Sequence, residues 1–210
     1  VTLELLSYGY DLTSPQAAPD RRQIQRAAGG RPVIAGGGAL DGREMFSASN
    51  SVFGLEDGQV VGRFDKIYLV PFGEYFPLVQ PLAPLYRTVF GWFGYPLLQS
   101  RPPGRVAAPI TVAGTSHAAY ICYESVFPQV ARTMVARGAQ VLVNVSNDAW
   151  FGSGGGARQH FDMGTLRAIE TRRYLLRGGN DGVTAAVDPL GRTLRELPRG
   201  ARGALTVPYG

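Results

Sequence analysis

Short apolar runs separated by polar turns predict a chain in which strands and helices alternate. Brief apolar runs bounded by glycine, proline or aspartate are typical of strands, and apolar positions three and four apart are typical of helices. The predicted strands cover residues 1–3, 32–35, 51–55, 59–64, 111–112, 118–121, 140–145, 174–177, 183–187 and 204–207. The predicted helices cover residues 20–28, 128–137 and 158–171. This alternation indicates an α/β fold with mixed sheets.

Turn residues support these boundaries. Asp57-Gly58 lies between two predicted strands and is a favoured hairpin turn. Pro128 stands in the first turn of a predicted helix and Gly138 follows its end, which is where proline and glycine are favoured. Two triple-glycine stretches lack the strand-GxGxxG-helix context of a dinucleotide loop. We interpret them as turns and closely packed backbone, and we expect no nucleotide cofactor.

The segment from Phe76 to Leu98 is apolar but has no regular period. Arg87 is its one charge, and four prolines interrupt it. Such a segment is too interrupted to span a bilayer, but it could lie at a membrane interface with its aromatic rings at headgroup level. The alternative is an arm packed on its own domain or on a second copy. We therefore predict one domain over residues 1–210 with an apolar arm at about residues 76–103.

Length and composition fit one globular domain, because 210 residues with 45% hydrophobic and 18% charged content can bury a sizeable core. No uninterrupted apolar run is long enough for a membrane span, and the chain opens on apolar residues rather than on the basic region of a signal peptide. Since the first residue is Val1 and not Met, we expect the chain to be a fragment of a longer protein.

Several function classes are disfavoured because the residues or motifs that they need are scarce or absent in the sequence. A single cysteine excludes an internal disulfide and a cysteine-based zinc site, and His117 and His160 have no metal-ligand spacing, so no metal is expected. A serine hydrolase is disfavoured because the chain has no G-x-S-x-G motif. The net charge is +5, but the arginines are dispersed, so charge predicts a general preference for anionic surfaces such as phospholipid headgroups and no nucleic-acid partner.

Lys66 and Cys122 are the only residues of their kinds in the chain, and Lys66 stands among 21 basic residues. A compact ammonium and a guanidinium are not interchangeable, so an isolated lysine suggests a specific task. Cys122 ends a predicted strand ahead of a helix, where an ammonium and backbone N–H groups can stabilise a thiolate. A lone cysteine in an apolar run is also typical of a core residue. No spacing ties either histidine to this junction, which leaves Glu4 as a candidate proton acceptor.

Three segments resemble the carbon-nitrogen hydrolase, or nitrilase, superfamily, whose members carry a Glu-Lys-Cys triad on three separate strand ends. The segments are Glu4 with Gly9-Tyr10, Gly62–Lys66 and Ile121–Glu124. Their order and spacing agree with the superfamily over essentially the whole chain. The resemblance implies an α/β fold of the nitrilase type, a four-layer α-β-β-α sandwich with two mixed sheets. It also implies that Glu4, Lys66 and Cys122 are the catalytic residues.

Within the superfamily, longer runs resemble the bacterial apolipoprotein N-acyltransferase family. These runs are Leu69–Tyr75, Asn144–Gly152, Gln159–Phe161 and Arg167–Thr171. The segment before the glutamate differs, because that family usually has Trp-Pro where this chain has Thr2-Leu3. The resemblance implies an enzyme of the bacterial inner membrane whose catalytic domain lies on the extracytoplasmic face. Flanking transmembrane helices, which this chain lacks, would hold it there together with the apolar arm.

The chemistry implied by this resemblance is acyl transfer in two steps without a cofactor. Glu4 takes the thiol proton of Cys122, and the thiolate attacks the ester carbonyl of a phospholipid to form a thioester. Lys66 stabilises the oxyanion. The α-amine of a diacylglyceryl-prolipoprotein then attacks the thioester. The expected partners are therefore a phospholipid donor and a prolipoprotein acceptor.

Supporting roles are expected for neighbouring residues. Glu74 resembles the superfamily's second glutamate and would pair with Lys66, Tyr123 would offer its backbone N–H to the oxyanion, and Glu124 would order the turn that carries the nucleophile. The candidate substrate-binding residues are the aromatic Trp150, Trp92 and Phe93. Trp150 is equally well interpreted as a core aromatic.

Two other functions stay open at this point. A soluble nitrilase-type amidase would use the same triad with water as the acceptor, and it would have a shorter and more polar arm. A lipid-binding or peptide-binding derivative without catalysis would tolerate loss of Cys122 or Lys66. The sequence holds all three candidate catalytic residues together with the apolar arm.

Overall fold

The computed structural model of the chain describes residues 2–3, 11–40, 48–92 and 100–209. Glu4 and Phe93 lie outside the described residues. The helices are α1 (Ala18–Ala27), α2 (Val79–Trp92), α3 (Pro128–Ala136) and α4 (Gly156–Thr171). Short 3₁₀ helices cover Pro15–Ala17, Cys122–Val126 and Ala149–Phe151. The strands are β1 (Thr2–Leu3), β2 (Val33–Leu40), β3 (Ala48–Glu56), β4 (Gln59–Asp65), β5 (Ile110–Val112), β6 (Thr115–Ile121), β7 (Val141–Asn147), β8 (Leu175–Asn180), β9 (Thr184–Val187) and β10 (Thr193–Leu197).

The first sheet has the strand order β1-β2-β3-β4. β1 pairs with β2 in parallel, whereas β2, β3 and β4 pair antiparallel, so this sheet is mixed. The predicted hairpin turn joins β3 to β4. Asp57 and Gly58 both have positive φ, at 47° and 73°, which is the geometry that matches the right-handed twist of the flanking strands.

The second sheet has the strand order β10-β9-β8-β7-β6-β5. β6, β7 and β8 are parallel, and the remaining pairs are antiparallel. Six of the seven residues of β7 are buried, as expected for a central strand covered on both faces. The carboxyl ends of β6, β7 and β8 meet at one edge of the sheet. Cys122, Asp148 and Asp181 follow these three strands directly. A thiol and two carboxyl groups are therefore placed along this edge of the sheet.

The layers follow from which faces are buried. Ile34, Val52 and Phe64 of the first sheet belong to one apolar core with Val112 and Val143 of the second sheet, so the two sheets pack face to face. The outer face of the second sheet is covered by α3 and α4, which contribute Val130, Met134, Phe161 and Ala168 to this core. A second cluster joins Ala17 and Ala28, which flank α1, to Val33, Phe53 and Leu55 of the first sheet. The expected four-layer α-β-β-α sandwich with two mixed sheets is confirmed.

The triple glycine at Gly36–Gly38 lies within β2 and is not a turn. A Cβ added at Gly37 would lie 3.3 Å from the Phe53 ring, and one at Gly36 would lie 3.6 Å from Val145. The expectation of closely packed backbone was therefore right, and the expectation of a turn was wrong. Side chains from neighbouring elements fill the space that larger residues would need.

The predicted strand at residues 204–207 is wrong, because residues 201–209 have no regular structure. The strand that ends the second sheet is β10, which the sequence analysis did not predict. β10 is mostly exposed and pairs antiparallel with β9. A solvated edge strand forms through its backbone pairing and needs no apolar alternation. In the turn before β10, Gly191 N donates to the Asp188 carbonyl at 2.9 Å.

The apolar arm contains α2, which the prolines had argued against. Pro81 lies in its first turn, where a missing N–H costs little, and Pro84 lies inside the helix. The rings of Phe76, Tyr86 and Phe90 contact one another with centroids 5.2 to 6.1 Å apart. No residue of α2 whose side chain is described is buried. Among the described residues, no helix combines the length and apolarity needed to cross a membrane.

Candidate active site

The candidate nucleophile lies where a strand ends, as the sequence predicted. β6 ends at Ile121, and Cys122 is the first residue of the 3₁₀ helix Cys122–Val126. Its φ is +48°, in the left-handed region that side chains rarely adopt. Such a conformation costs about 1–3 kcal/mol and persists only where surrounding contacts enforce it. The thiol is half-buried. We call the Cys122–Val126 turn the nucleophile elbow.

Glu124 connects the elbow to the segment that carries Lys66. Its carboxylate accepts a hydrogen bond from Ile121 N at 2.8 Å, immediately before the cysteine. The same carboxylate accepts from Ile67 N at 2.7 Å and Tyr68 N at 3.2 Å, immediately after the lysine. One buried side chain therefore fixes the backbone beside both candidate catalytic residues. This arrangement corresponds to the ordering role that the sequence analysis expected of Glu124.

Burial raises the pKa of Glu124 to about 7, although the three N–H donors and the charge of Lys66 oppose that shift. The side chain is 1% exposed, so desolvation of the carboxylate is the dominant effect. A carboxyl group with this pKa changes charge close to neutral pH. Both the elbow and the Lys66 segment depend on hydrogen bonds to that group.

Lys66 follows β4 directly, and its side chain is almost fully buried. Its Nζ lies 2.9 Å from Oε1 and 2.7 Å from Oε2 of Glu74. Glu74 also accepts from Val70 N at 2.8 Å and from the Asn50 side-chain amide. The ion pair expected between Lys66 and Glu74 is present. The hydrogen bonds from Val70 N and the Asn50 amide hold the Glu74 carboxylate in place beside the ammonium. An ammonium has three N–H groups, so one remains for a further acceptor after Glu74 has taken two.

Tyr123 packs within an aromatic cluster beside the elbow. Its ring meets Phe127 edge to face at 5.0 Å, and Phe127 stacks on Tyr68 at 4.5 Å. These contacts engage the Tyr123 ring with its aromatic neighbours. The group expected of Tyr123 for a reacting carbonyl stays its backbone N–H.

The candidate substrate-binding tryptophans are both on the surface. Trp150 is 81% exposed and Trp92 is 80% exposed. The interpretation of Trp150 as a core aromatic is therefore wrong. Trp150 lies in the 3₁₀ helix that directly follows Asp148, close in sequence to the polar edge, whereas Trp92 ends α2. Each offers a large apolar surface for a partner to cover.

A buried charged cluster behind the elbow escaped the sequence analysis. Asp148 follows β7, His160 lies on α4 and Arg177 lies on β8, and all three are nearly inaccessible to solvent. Arg177 Nη2 donates to Asp148 Oδ2 at 2.8 Å. His160 Nδ1 lies 3.0 Å from both Asp148 Oδ1 and Arg177 Nη2. On its other side, His160 Nε2 lies 3.0 Å from the Cys122 carbonyl oxygen and 2.9 Å from Ser125 Oγ.

Burial alone would raise the pKa of Asp148, but hydrogen bonding to His160 and Ser146 and the charge of Arg177 lower it to about 2. This carboxylate is therefore ionised at neutral pH and forms a buried ion pair with Arg177. Signals for the cluster were present in the sequence, because Asp148 and His160 belong to runs that carry the family resemblance. Their proximity was not predictable from spacing, since three different elements bring the residues together.

Two members of this cluster and Cys122 are close enough together to be considered as metal ligands. Side-chain donor atoms of Cys122, Asp148 and His160 lie within 4.8 Å of one another. The Arg177 guanidinium already lies 2.8 Å from Asp148 and 3.0 Å from His160, so a fixed cation occupies the position beside two of the three donors. A metal ion there would be repelled by that charge. The donor set therefore fits an ion-paired network better than a metal centre.

A sandwich with a nucleophile elbow and a buried Lys-Glu pair defines the nitrilase class of folds. A family model described as carbon-nitrogen hydrolase matches residues 16–208, and the chain belongs to this family. Its structure is similar to a carbon-nitrogen hydrolase from Helicobacter pylori, with a TM-score of 0.64, 17% identity and coverage of 93% of this chain and 72% of the other. An amidase from Nesterenkonia sp. gives a TM-score of 0.61, 19% identity and coverage of 88% and 64%.

Closer relatives in sequence are proteins named apolipoprotein N-acyltransferase. That of Pseudomonas paraeruginosa is 39% identical over 148 residues, which cover 70% of this chain and 28% of the relative. That of Nitrosomonas europaea is 44% identical over 138 residues, which cover 64% and 26%. That of Gloeobacter violaceus is 40% identical over 158 residues, which cover 75% and 29%. The chain thus spans less than a third of the length of these relatives.

Proposed function

We propose that this chain is the catalytic domain of an N-acyltransferase that moves an acyl chain from a phospholipid to the N-terminal amine of a diacylglyceryl-prolipoprotein. The observation that carries the proposal is that about two fifths of the aligned residues are identical to those of proteins named apolipoprotein N-acyltransferase, over 64% to 75% of the chain. The geometry supports it, because a half-buried thiol on a strained turn and a buried ammonium are what thioester chemistry requires.

The first step forms the thioester. Glu4, which remains a proposed base, removes the proton from the Cys122 thiol, and the thiolate attacks the carbonyl carbon of a phospholipid ester. The negative charge on the carbonyl oxygen is stabilised by the third N–H of the Lys66 ammonium and by the Tyr123 amide. The ester C–O bond then breaks. The departing lysophospholipid oxygen takes the proton from Glu4, and the acyl chain remains on sulfur.

The second step transfers the chain to nitrogen. The neutral α-amine of the acceptor attacks the thioester carbonyl, and the same donors stabilise the oxyanion. The C–S bond breaks as the amide forms, and a proton passes from the amine through Glu4 to the sulfur of Cys122. Both groups return to their starting protonation states, so the cycle needs no other reactant.

The apolar arm supports a lipid donor and a membrane location. α2 buries none of its described side chains, and Leu78, Leu85 and Trp92 are 56% to 80% exposed. An amphipathic segment with exposed aromatic and aliphatic residues can bind at the level of lipid headgroups. We propose that it contacts the bacterial inner membrane from the extracytoplasmic side and admits acyl chains to Cys122. Trp92, Phe93 and Trp150 are the proposed contacts of the acyl chain.

The runner-up is an amidase that transfers the acyl group to water, as the likeness to the Nesterenkonia amidase would suggest at the level of fold. The exposed apolar arm favours a lipid donor over a small soluble amide. Catalysis by either enzyme would require Cys122, so the two functions differ in donor and acceptor and not in nucleophile.

Intact mass measurement tests the proposal directly. The full-length protein in detergent is incubated with a phospholipid of defined chain length, and its mass should rise by one acyl group that hydroxylamine removes. Addition of a diacylglyceryl peptide with a free amine should discharge the thioester and yield the N-acyl peptide. Cys122→Ala should show no mass increase.

Two other outcomes of the mass measurement would contradict the proposal. Discharge of the thioester to water at the same rate with and without the peptide would favour the amidase. An equal mass increase in Cys122→Ala would exclude Cys122 as the nucleophile and overturn the proposal.

A further inference from the structure

The left-handed conformation of Cys122 must be enforced by its neighbours, because its side chain disfavours a φ of +48°. Two side chains restrain the backbone on either side of this residue. Glu124 accepts from Ile121 N at 2.8 Å, which fixes the peptide before the cysteine. His160 Nε2 lies 3.0 Å from the Cys122 carbonyl oxygen, which fixes the peptide after it. Glu124 already has an ordering role beside both candidate catalytic residues, whereas the proposed reaction steps give His160 no task.

The contacts of His160 determine where its proton lies. A carbonyl oxygen can only accept, so the contact between Nε2 and the Cys122 carbonyl is a hydrogen bond only when Nε2 carries a proton. On the other side, Nδ1 faces both an N–H donor of Arg177 and a carboxylate oxygen of Asp148, each at 3.0 Å. Nδ1 can accept from Arg177 in the neutral ring or donate to Asp148 in the charged ring. In both states, Nε2 donates towards the elbow. In the remaining state, a neutral ring protonated on Nδ1, that N–H would face the Arg177 donor, and Nε2 would accept from Ser125 Oγ at 2.9 Å and make no hydrogen bond to the Cys122 carbonyl.

The ring is also prevented from turning. Arg177 donates to Asp148 at 2.8 Å and also to the Asn144 side chain. Ser146 Oγ donates to Asp148 Oδ1 at 2.6 Å. A Cβ at Gly182 would lie 2.2 Å from Asp148 Oδ2, so the carboxylate is also packed tightly against the backbone after β8. A ring held in one tautomer by buried partners is a fixed donor.

Restraining the Cys122 carbonyl also restrains the Tyr123 N–H, which is the proposed oxyanion donor, because one peptide bond contains both groups. The Cys122 carbonyl and the Tyr123 N–H belong to one planar trans peptide, so they point in opposite directions. Holding the carbonyl oxygen towards His160 therefore sends the Tyr123 N–H away from the buried cluster. The proposed oxyanion donor is thus aimed by a residue that never touches the substrate.

We propose that His160 is a positioning residue, whose Nε2–H holds the Cys122 carbonyl and thereby fixes the orientation of both the Cys122 thiol and the Tyr123 N–H. The inference rests on the proposed function, because it assigns a task within that reaction. It also means that His160 is not the proton acceptor of the thiol, even though a ring nitrogen and the sulfur lie within 4.8 Å of each other. Its Nε2 is already a donor, and Arg177 and Asp148 occupy its Nδ1.

Two substitutions of His160 separate positioning from proton transfer. His160→Ala removes the donor, whereas His160→Gln keeps an amide N–H near the position of Nε2 but cannot take up a proton. His117→Ala is the matched control, because His117 is similarly buried but lies near the start of β6, far from the elbow. All variants are made in the full-length protein, and thermal unfolding verifies that each is folded.

Two rates are measured on each variant. The first is acylation of Cys122 by a small activated ester such as p-nitrophenyl butyrate, resolved into kcat and KM. The second is alkylation of Cys122 by iodoacetamide across pH, which reports the thiolate without needing an oxyanion donor. The small ester keeps the test separate from the proposed lipid chemistry. If wild-type protein reacts with the ester but not with phospholipid, the proposed function fails while the inference on His160 is still tested.

For His160→Ala we expect kcat for acylation to fall about 10²-fold at nearly constant KM, because misplacement by about 1 Å costs that much. The midpoint of the alkylation profile should stay at its wild-type pH. His160→Gln should restore acylation to within about tenfold of wild type, as a displaced but retained donor would. Acylation at the wild-type rate in His160→Ala would overturn the proposal.

A rise of the alkylation midpoint in both His160 variants would also overturn it, since this would make His160 the proton acceptor. An equal fall of kcat in His117→Ala would show a general effect of destabilisation and overturn the proposal too. If His160→Ala does not fold, His160→Gln decides alone. A rate near wild type with an unchanged midpoint supports the proposal, and a slow rate contradicts it.

Discussion

The nucleophile elbow and the apolar arm differ in which side chains they bury. Charged side chains are buried around the elbow, whereas large apolar side chains are exposed in the arm. Around the elbow, Glu124, Asp148 and Arg177 are almost completely buried, and hydrogen bonds and ion pairs compensate their charges. In the arm, Leu85 and Trp92 are 56% and 80% exposed and have no such partner. Burying charge is costly unless it is paired, and exposing large apolar surface is unfavourable unless something covers it.

This contrast separates the parts of the chain that complete their own contacts from the parts that depend on a partner. The elbow is pre-organised, because buried groups on the elbow itself, on α4, on β8 and directly after β7 hold one strained residue in place. In the arm, the Phe76 ring contacts Tyr86 and Phe90, but Leu85 and Trp92 of α2 stay largely exposed, which is consistent with a lipid surface as their partner. Substitutions in the elbow should therefore affect chemistry and stability, whereas substitutions in the arm should affect the choice of donor.

The largest effect is expected from Lys66→Arg, which retains the charge. The lysine side chain is 1% exposed, so the larger guanidinium has no room beside Glu74, and its planar fork cannot present the same third N–H to the oxyanion. We expect acylation of Cys122 to slow by about 10²–10³-fold, the typical cost of losing one oxyanion donor. Single-turnover kinetics with a phospholipid or a small ester measure it.

Arg63→Lys is the matched control for this prediction. Arg63 lies on β4, the strand that Lys66 directly follows, and its guanidinium pairs with Asp65 at 2.6 Å, but its side chain is 27% exposed. Replacing Arg63 by lysine should leave the rate of Cys122 acylation unchanged. Near-normal acylation by Lys66→Arg would show that the position supplies only long-range positive charge.

A smaller effect, mainly on stability, is expected from Glu124→Gln. The amide keeps one acceptor oxygen but turns an NH₂ group towards a backbone N–H that the carboxylate now accepts. Leaving one buried donor unsatisfied should lower the free energy of unfolding by about 1–3 kcal/mol. Because Ile121 N and Ile67 N lie beside the two candidate catalytic residues, acylation should slow as well.

The pH dependence of stability makes the Glu124 prediction sharper. The pKa of Glu124 is raised from 4.5 to about 7 on folding, so its contribution to stability is fully present below pH 4.5 and is lost as pH rises through 7. The loss has an upper limit of about 3 kcal/mol. Wild type should therefore exceed Glu124→Gln in melting temperature by more at pH 5 than at pH 7.5. A constant difference across this range would show that the carboxyl group does not titrate there.

Features set by short-range chemistry could be predicted from the sequence. The Asp57-Gly58 turn follows from residues that tolerate positive φ, and Cys122 was placed correctly because an apolar run ends there. The pairing of Glu74 with Lys66 followed from a resemblance over a continuous segment. In each case the determining residues lie close together in the chain.

The features that escaped prediction depend on distant contacts. β10 forms because β9 offers an open edge, and α2 forms although Pro84 removes one of its backbone donors. Asp148, His160 and Arg177 meet only because β7, β8 and α4 converge behind the elbow. No spacing rule links an aspartate after one strand to an arginine on the next across an intervening helix. Sequence pattern therefore pointed to the candidate catalytic residues more readily than to the residues that hold them in place.

The smallest effect on the domain itself is expected from the double substitution Leu85→Ser and Trp92→Ser in the arm. Both side chains are largely exposed, so thermal stability should not change. If the arm covers acyl chains, acylation by a long-chain phospholipid should slow by about tenfold, because each buried CH₂ contributes about 0.8 kcal/mol. A short-chain soluble thioester should react as before. Leu190→Ser is the matched control, since Leu190 is 56% exposed like Leu85 but lies outside the arm. Equal slowing with both donors, together with a lower melting temperature, would make the arm a structural brace rather than a lipid contact.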